Sequence, residues 1–121
     1  MEHFFQNIHG WFNFEQLYSE MVNKFSSGAH FVEVGCWLGR SACYLGVEIV
    51  NSGKDIKLDC IDTWLGAPEL AEEEVVKNGT LYTDFIKNIE PLKHIINPVR
   101  LPSIDAVKLY FTLLAVIAIL T

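Results

Sequence analysis

The first regular pattern along the chain is an apolar stripe with the spacing of an α-helix. Apolar side chains recur every three or four residues from Phe14 to Phe25, the periodicity of an amphipathic helix. Asn13 stands at the expected N-cap with Gln16 three residues later, as in a capping box. We therefore predict a helix that ends at residues 26–28 and buries this stripe: Phe14, Leu17, Tyr18, Met21, Val22 and Phe25.

After this helix, short apolar runs alternate with helical segments. Residues 29–34 form a short apolar run, and a largely apolar helical segment covers about residues 40–51. Residues 56–61 form the next apolar run, followed by Asp62. Strand, glycine turn, helix and strand in this order form a βαβ unit, which makes a parallel sheet with a right-handed crossover.

The second half of the chain continues the alternation. Residues 64–79 carry glycine, proline and an acidic run, which indicate a loop or a short surface helix, and residues 80–89 have helical spacing. Residues 95–101 are predicted to be the third strand, at the sheet edge because Pro98 removes a hydrogen-bond donor. We predict one α/β domain over residues 1–121, a partial doubly wound Rossmann-like parallel sheet with strand order 3-2-1.

The last ten residues allow two interpretations. Residues 112–120 form a continuous apolar run rich in β-branched side chains, as in a buried parallel strand beside the first strand. No turn residue separates them from the helix predicted to start at Ser103, so that helix could also continue. We favour the fourth strand. In either case we expect an exposed apolar C-terminal surface that promotes homo-oligomers.

The composition of the chain limits the binding partners and the cellular locations that we expect. The net charge is −6 and the nine Lys and Arg residues are scattered, which argues against nucleic acid as a partner. The three cysteines lack metal-ligand spacing and are expected to be reduced, with no metal bound. The N-terminus has no signal-peptide pattern, and the apolar C-terminal run is about half a bilayer span. We expect a cytoplasmic protein without a membrane partner.

The turn after the first strand offers the first candidate site residues. Gly35 and Gly39 allow a sharp turn and a close approach of the backbone to a ligand. The helix that follows presents free N–H groups to a carboxylate, and Arg40 and Ser41 add charge and a hydroxyl. Glu33 ends an apolar strand and needs a partner, which a ligand ammonium would supply. Alternatively, the glycines only form the turn and Glu33 pairs with a local cation.

Two further segments reach the same edge of the predicted sheet. Asp62, with Thr63 and Trp64, follows the second strand, where a carboxylate can accept both hydroxyls of a ribose. Asp62 could instead cap its own turn, and Trp64 could cover an adenine or belong to the core. Asp59, within the strand, is expected to face solvent or a cation. Ser103 caps a helix after the third strand and could border an adenine.

These segments together resemble a known family. FVEVGCWLGRS at residues 31–41 resembles motif I of class I S-adenosylmethionine-dependent methyltransferases, in the E-x-G-x-x-x-G-x-S form of the catechol methyltransferase-like, small-molecule group. Bulky residues such as Trp37 occur within that form. CIDTWLG at residues 60–66 resembles the acidic motif after the second strand. DFIKNI at residues 84–89 and VRLPSIDAVKLY at residues 99–110 resemble the next two landmarks.

The resemblance covers residues 11–110 and implies a binding mode for S-adenosylmethionine. Glu33 and Gly35 would lie along the methionine part, with Ser41 near its carboxylate. Asp62 would hold the ribose, and Ser103 with Ile104 would border the adenine. The implied function is methyl transfer to a small-molecule acceptor, with this chain supplying the cofactor-binding half.

Two other functions compete with this interpretation. A nicotinamide-dependent oxidoreductase is expected to carry a GxGxxG motif, whereas Gly35 and Gly39 are four residues apart. A non-catalytic cofactor-binding fragment or pseudoenzyme is the other alternative. The family pattern stops at Tyr110, before the segments that carry acceptor-site residues, and the catalytic residues are therefore unknown. We expect this polypeptide to bind the cofactor without turning it over.

Overall fold

The sheet is parallel and four-stranded. The computed structural model describes residues 1–110 and 116–117. The strands are β1 (His30–Val34), β2 (Lys57–Asp62), β3 (Ile96–Arg100) and β4 (Val116–Ile117), in the order β3-β2-β1-β4. The predicted α/β class and the 3-2-1 order of the first three strands are confirmed, and β3 with its Pro98 lies at an edge.

Within the described residues, five helices connect and flank the strands. They are α1 (Glu15–Lys24), α2 (Arg40–Ser52), α3 (Glu74–Lys77), α4 (Leu81–Ile89) and α5 (Ser103–Tyr110). Single 3-10 turns cover Phe5–Asn7, Pro68–Leu70 and Glu90–Leu92. Within the described ranges, every helix falls short of the length and apolar character that a membrane crossing requires.

The C-terminal strand is confirmed at the two residues that can be described. Val116 and Ile117 pair in parallel with Val32 and Glu33 of β1. The other residues of the predicted strand lie outside the described ranges, and so does the apolar surface on which the prediction of self-association rests.

The sheet separates two apolar layers of unequal size. The larger layer packs α1, α2 and α4 against one face, and the smaller layer packs α5 against the other. Side chains alternate between the faces along a strand, so Phe31 belongs to the larger layer and Val32 and Val34 to the smaller one. Glu33 shares the face of Phe31, which places its carboxylate between the sheet and α1.

The apolar stripe of α1 is displaced from its predicted position. Phe14 and Leu17 are 45% and 46% exposed, whereas Tyr18 and Val22 are buried. The ring of Phe12, from the segment before α1, lies 5.0 Å from that of Tyr18 and packs against the same core cluster. Asn13 is not the N-cap, because Phe14 holds that position and no side chain caps the helix.

Candidate functional site

A cleft composed of three adjoining cavities lies at the carboxyl ends of β1, β2 and β3. The cavities measure about 290, 190 and 200 Å³. Gly35 lines all three, Asp62 and Thr63 line the second and third, and Ser103 lines the third. Ligands of open parallel sheets bind at this end of the strands. The residues that the sequence places at three separate strand ends therefore meet in one cleft.

The turn between β1 and α2 has a left-handed backbone at three positions. The φ angles are +81° at Gly35, +51° at Trp37 and +91° at Gly39. A Cβ atom on Gly39 would lie 3.2 Å from the Phe85 ring, so glycine is required there by packing and by backbone geometry. Trp37 has a Cβ and adopts a conformation that costs about 1–2 kcal/mol, which the surrounding contacts must offset.

Asp62 supplies those contacts. Its Oδ2 accepts the backbone N–H groups of Cys36 at 2.8 Å and Trp37 at 3.2 Å. Its Oδ1 accepts the N–H of Trp64 at 2.9 Å. The capping role that the sequence left open is thus present, and it extends across to the glycine turn. A carboxylate has about four acceptor positions, so Asp62 retains about one for a ligand.

Glu33 is a buried carboxylate with only one of its oxygens hydrogen-bonded. Its relative exposure is 1%, and Oε2 accepts the Tyr18 hydroxyl at 2.8 Å. Oε1 is buried and has no hydrogen-bond partner. Loss of hydration on burial raises the pKa of Glu33 to about 7, an effect that the Tyr18, Ser41 and Cys36 side chains oppose only in part. Within the described ranges, no cationic side chain forms an ion pair with Glu33.

Arg40 fixes the N-terminal segment beside the cleft. Its Nη1 donates to the carbonyls of Phe5, Gln6 and Ile8 at 3.3, 3.3 and 2.7 Å. The guanidinium also lies 5.4 Å from the centre of the Phe5 ring. Arg40 and Ser41 both line the largest cavity, but the charge of Arg40 is directed mainly at these main-chain oxygens.

Trp64 belongs to the core and contacts the turn between β1 and α2 from the protein interior. It is 4% exposed, and its Nε1 donates to the carbonyl of Trp37 at 3.0 Å. Its ring packs against Tyr82 and Phe85 at centroid distances of 5.0 and 4.7 Å. Of the two roles that the sequence allows for Trp64, the structure shows the core one, and Trp64 lines none of the three cavities.

The remaining predicted residues differ in their distance from the cleft. Thr63 lines it, and its Oγ1 accepts the N–H of Leu65 at 3.3 Å. Ser103 is exposed and lines the third cavity. Ile104 is 75% exposed and lines none of the three cavities, while Gly39 is buried behind them.

A second polar cluster holds α5, and with it Ser103, on the sheet. Asp59 is 7% exposed and accepts Asn97 Nδ2 at 3.2 Å and the Tyr110 hydroxyl. His30 Nε2 lies 2.9 Å from its Oδ2. The neighbour that lies where a cation was expected beside Asp59 is therefore the imidazole of His30. Asp59 is buried and does not face solvent, because Tyr110 at the end of α5 lies over it.

Three other contributors to the site could not be predicted from the sequence. Trp11 of the N-terminal segment and Glu69 of the loop after β2 line the largest cavity, and Tyr18 of α1 holds Glu33. They come from segments far apart in the chain, and no motif or periodicity links them. The one available signal was Trp11 itself, a large aromatic residue outside every predicted element.

Three potential metal ligands also lie together beneath the cleft. Single ligand atoms of Glu33, Cys36 and Cys60 are within 4.8 Å of one another. All three cysteines are free and buried, and burial raises the pKa of the Cys36 and Cys60 thiols. Because a metal binds the thiolate, this environment favours protonated core cysteines over metal ligands.

Comparison with known proteins identifies the fold. No protein-family model matches the chain, and no curated protein sequence matches it. Among solved structures it is similar to a protein from Clostridium thermocellum described as a "putative rRNA-methylase", with a TM-score of 0.52 and 11% sequence identity. The match covers 84% of this chain and 46% of that protein, so the chain spans about half its length. The chain has a methyltransferase-like α/β fold, and the similarity does not single out the catechol-type group.

The sequence-based prediction about the partner is wrong. It assigned a small-molecule acceptor and excluded nucleic acid because the chain is acidic, yet the matched protein is described as an rRNA methylase. The prediction failed because net charge reports on solubility and non-specific binding. The charge of a chain that spans about half of such a protein does not define the acceptor of the whole.

Proposed function

We propose that this chain binds S-adenosylmethionine in the cleft and provides the cofactor-binding half of a methyltransferase. The observation that carries the proposal is the convergence of Gly35, Asp62 and Ser103 at the ends of three neighbouring parallel strands. The similarity of the fold to a protein described as a methylase supports the same class.

Each part of the cofactor has a chemically suitable neighbour. The N-terminus of α2 and the Ser41 hydroxyl suit the methionine carboxylate. The unpaired Oε1 of Glu33 suits the ammonium, directly or through water. The remaining acceptor position of Asp62 suits a ribose hydroxyl, and Ser103 would border the adenine.

The bound cofactor would supply an electrophilic methyl group on a sulfonium. The residues of this chain hold it: Asp62 keeps the turn in its left-handed conformation, and Gly35 lets the backbone approach the ligand. No catalytic base is assigned. His30 is engaged with Asp59, and His9 lies near the cleft with its Nε2 3.5 Å from Glu73.

Calorimetric titration with S-adenosylhomocysteine and its 2′-deoxy analogue tests the proposed ribose contact. We expect the deoxy analogue to bind the wild type about tenfold more weakly, since a charge-assisted hydrogen bond is lost. The Asp62→Asn variant should bind both ligands more weakly and should discriminate less between them. Asp55→Asn, which changes an exposed carboxylate near the start of β2, should behave as the wild type. Equal discrimination by Asp62→Asn and wild type would contradict the ribose contact.

RNA is the acceptor class that we propose to assay, because the matched protein is described as an rRNA methylase. The measurement is transfer of a radiolabelled methyl group to total RNA. Incorporation into RNA supports this acceptor. Cofactor binding without incorporation supports the alternative function, a non-catalytic cofactor-binding chain.

A further inference from the structure

Two irregular segments of the chain contribute walls to the largest cavity. Gly10 and Trp11, from the segment before α1, form the N-terminal wall, and Glu69 and Leu70, from the loop after β2, form the loop wall. Gly10 and Trp11 lie outside every described helix and strand, and Glu69 and Leu70 belong to a single 3-10 turn. Irregular segments of this kind open locally at a lower free-energy cost than a paired sheet. These two walls are therefore the parts of the cavity that can separate most readily.

The N-terminal wall follows a segment that is anchored on α2. Asn51 accepts the Met1 ammonium at 2.7 Å and donates to the Met1 carbonyl at 3.0 Å. Arg40 donates to the carbonyl of Ile8 at 2.7 Å, and Ile8 is buried. Trp11, three residues later, is 59% exposed. The firmly anchored part of the segment thus ends at Ile8, just before the wall begins.

One side-chain pair joins the two walls. His9 immediately precedes the N-terminal wall, and Glu73 lies three residues after the loop wall. The Nε2 atom of His9 lies 3.5 Å from Oε2 of Glu73, and an imidazole N–H can donate to a carboxylate in the neutral or in the charged form. The His9 ring also lies 5.3 Å from the ring of Trp11 and 6.5 Å from that of Trp37, both of which line the cavity. The pair therefore lies beside the cavity and links its irregular walls.

We infer that His9 and Glu73 form a latch that holds the two walls together and limits the access of solutes to the largest cavity. Both side chains are partly exposed, 58% for His9 and 35% for Glu73, so water competes for the contact and the latch opens at a small free-energy cost. An exposed pair of this kind changes an equilibrium constant by up to about fivefold. The inference concerns access and holds whichever ligand the cavity takes. With the proposed function, the latch would set how fast the cofactor enters and leaves.

Cys36 provides a reporter for the opening of the latch. It lines the cavity but is 3% exposed, whereas Cys43 and Cys60 are fully buried and do not line this cavity. Methyl methanethiosulfonate converts a thiolate to a methyl disulfide and releases methanesulfinate. The rate of this reaction, followed at each cysteine by peptide mass spectrometry, therefore measures how often that thiol becomes accessible.

Removing either partner of the latch should accelerate the labelling of Cys36. We expect His9→Ala and Glu73→Ala each to raise the labelling rate about two- to fivefold, with all variants compared at one neutral pH. The double variant should be no faster than either single one, because both substitutions remove the same contact. Glu72→Ala is the matched control. Its carboxylate is 91% exposed and lies 2.9 Å from Lys77, so this variant should label Cys36 at the wild-type rate.

The other two cysteines report on general unfolding, and their labelling rates should not change in any variant. An unchanged rate at Cys36 in both single variants would overturn the inference. So would equal acceleration at Cys36, Cys43 and Cys60, which indicates a loss of overall stability, or the same acceleration in Glu72→Ala. The assay contains no cofactor, so failure of the latch leaves the proposed function intact, and failure of the cofactor to bind leaves the latch intact.

Discussion

Replacing Glu33 with glutamine should remove a pH dependence of folding stability. Burial raises the pKa of this carboxyl from an ordinary value of 4.5 to about 7. At about 1.4 kcal/mol per pKa unit, that difference corresponds to roughly 3 kcal/mol. The folded state binds more protons than the unfolded state between these two values, so the contribution is fully present below pH 4.5 and is lost as the pH rises through about 7.

The glutamine variant does not ionise, and its side-chain oxygen can still accept the Tyr18 hydroxyl. Its amide leaves an N–H group near the position of Oε1, which adds a cost that does not vary with pH. The free energy of unfolding, measured by urea denaturation between about pH 5 and pH 8, should therefore fall by about 2–3 kcal/mol more in the wild type than in Glu33→Gln, since part of the full effect lies below pH 5.

The exposed carboxylate of Glu20, which lies on α1 as Tyr18 does, provides the control. Glu20→Gln should retain the wild-type slope, since its side chain is solvated. Parallel pH profiles for wild type and Glu33→Gln would show that Glu33 ionises normally and would refute the reasoning.

Two other predictions follow from the same region. Gly39→Ala should destabilise the fold more than Gly28→Ala. Both glycines have φ above +90°, but only a Cβ at Gly39 would meet the Phe85 ring, at 3.2 Å. Chemical denaturation should show a difference of about 1–3 kcal/mol in the free energy of unfolding, and equal losses would contradict the prediction. If a ligand ammonium pairs with Glu33, binding should lower its pKa, so calorimetry near pH 7 in buffers of different ionisation enthalpy should show release of about half a proton. Buffer-independent enthalpies would argue against that pairing.

The parallel sheet could be predicted because its signals are local. The glycine turn between two apolar runs defines a βαβ unit, and Pro98 assigns β3 to an edge. The α1 stripe was predicted less well, since Phe14 and Leu17 have the correct periodicity but no element among the described residues buries them. Periodicity shows which residues share a face of the helix, and the segments packed nearby decide how much of that face is buried.

The residues of the candidate site also fall into two groups, those that could be predicted from the sequence and those that could not. Gly35, Asp62 and Ser103 could be located from strand ends, because the carboxyl ends of parallel strands lie at one edge of the sheet. Trp11 and Glu69 could not, because they reach the cavity through the folding of irregular segments. That Asp62 caps both its own turn and the turn after β1 could not be predicted either, because this contact depends on the register that brings β2 beside the turn after β1.

The central claim is that the cleft at Gly35, Asp62 and Ser103 binds S-adenosylmethionine. The most direct measurement is an NMR titration of the isotopically labelled chain, following the backbone amide signals as the cofactor is added. The account predicts saturable shifts at these three residues and at Ser41, with little change at Gly28 or Gly53 at the opposite end of the sheet. Absence of shifts at millimolar cofactor, or shifts confined to residues outside the cleft, would contradict it.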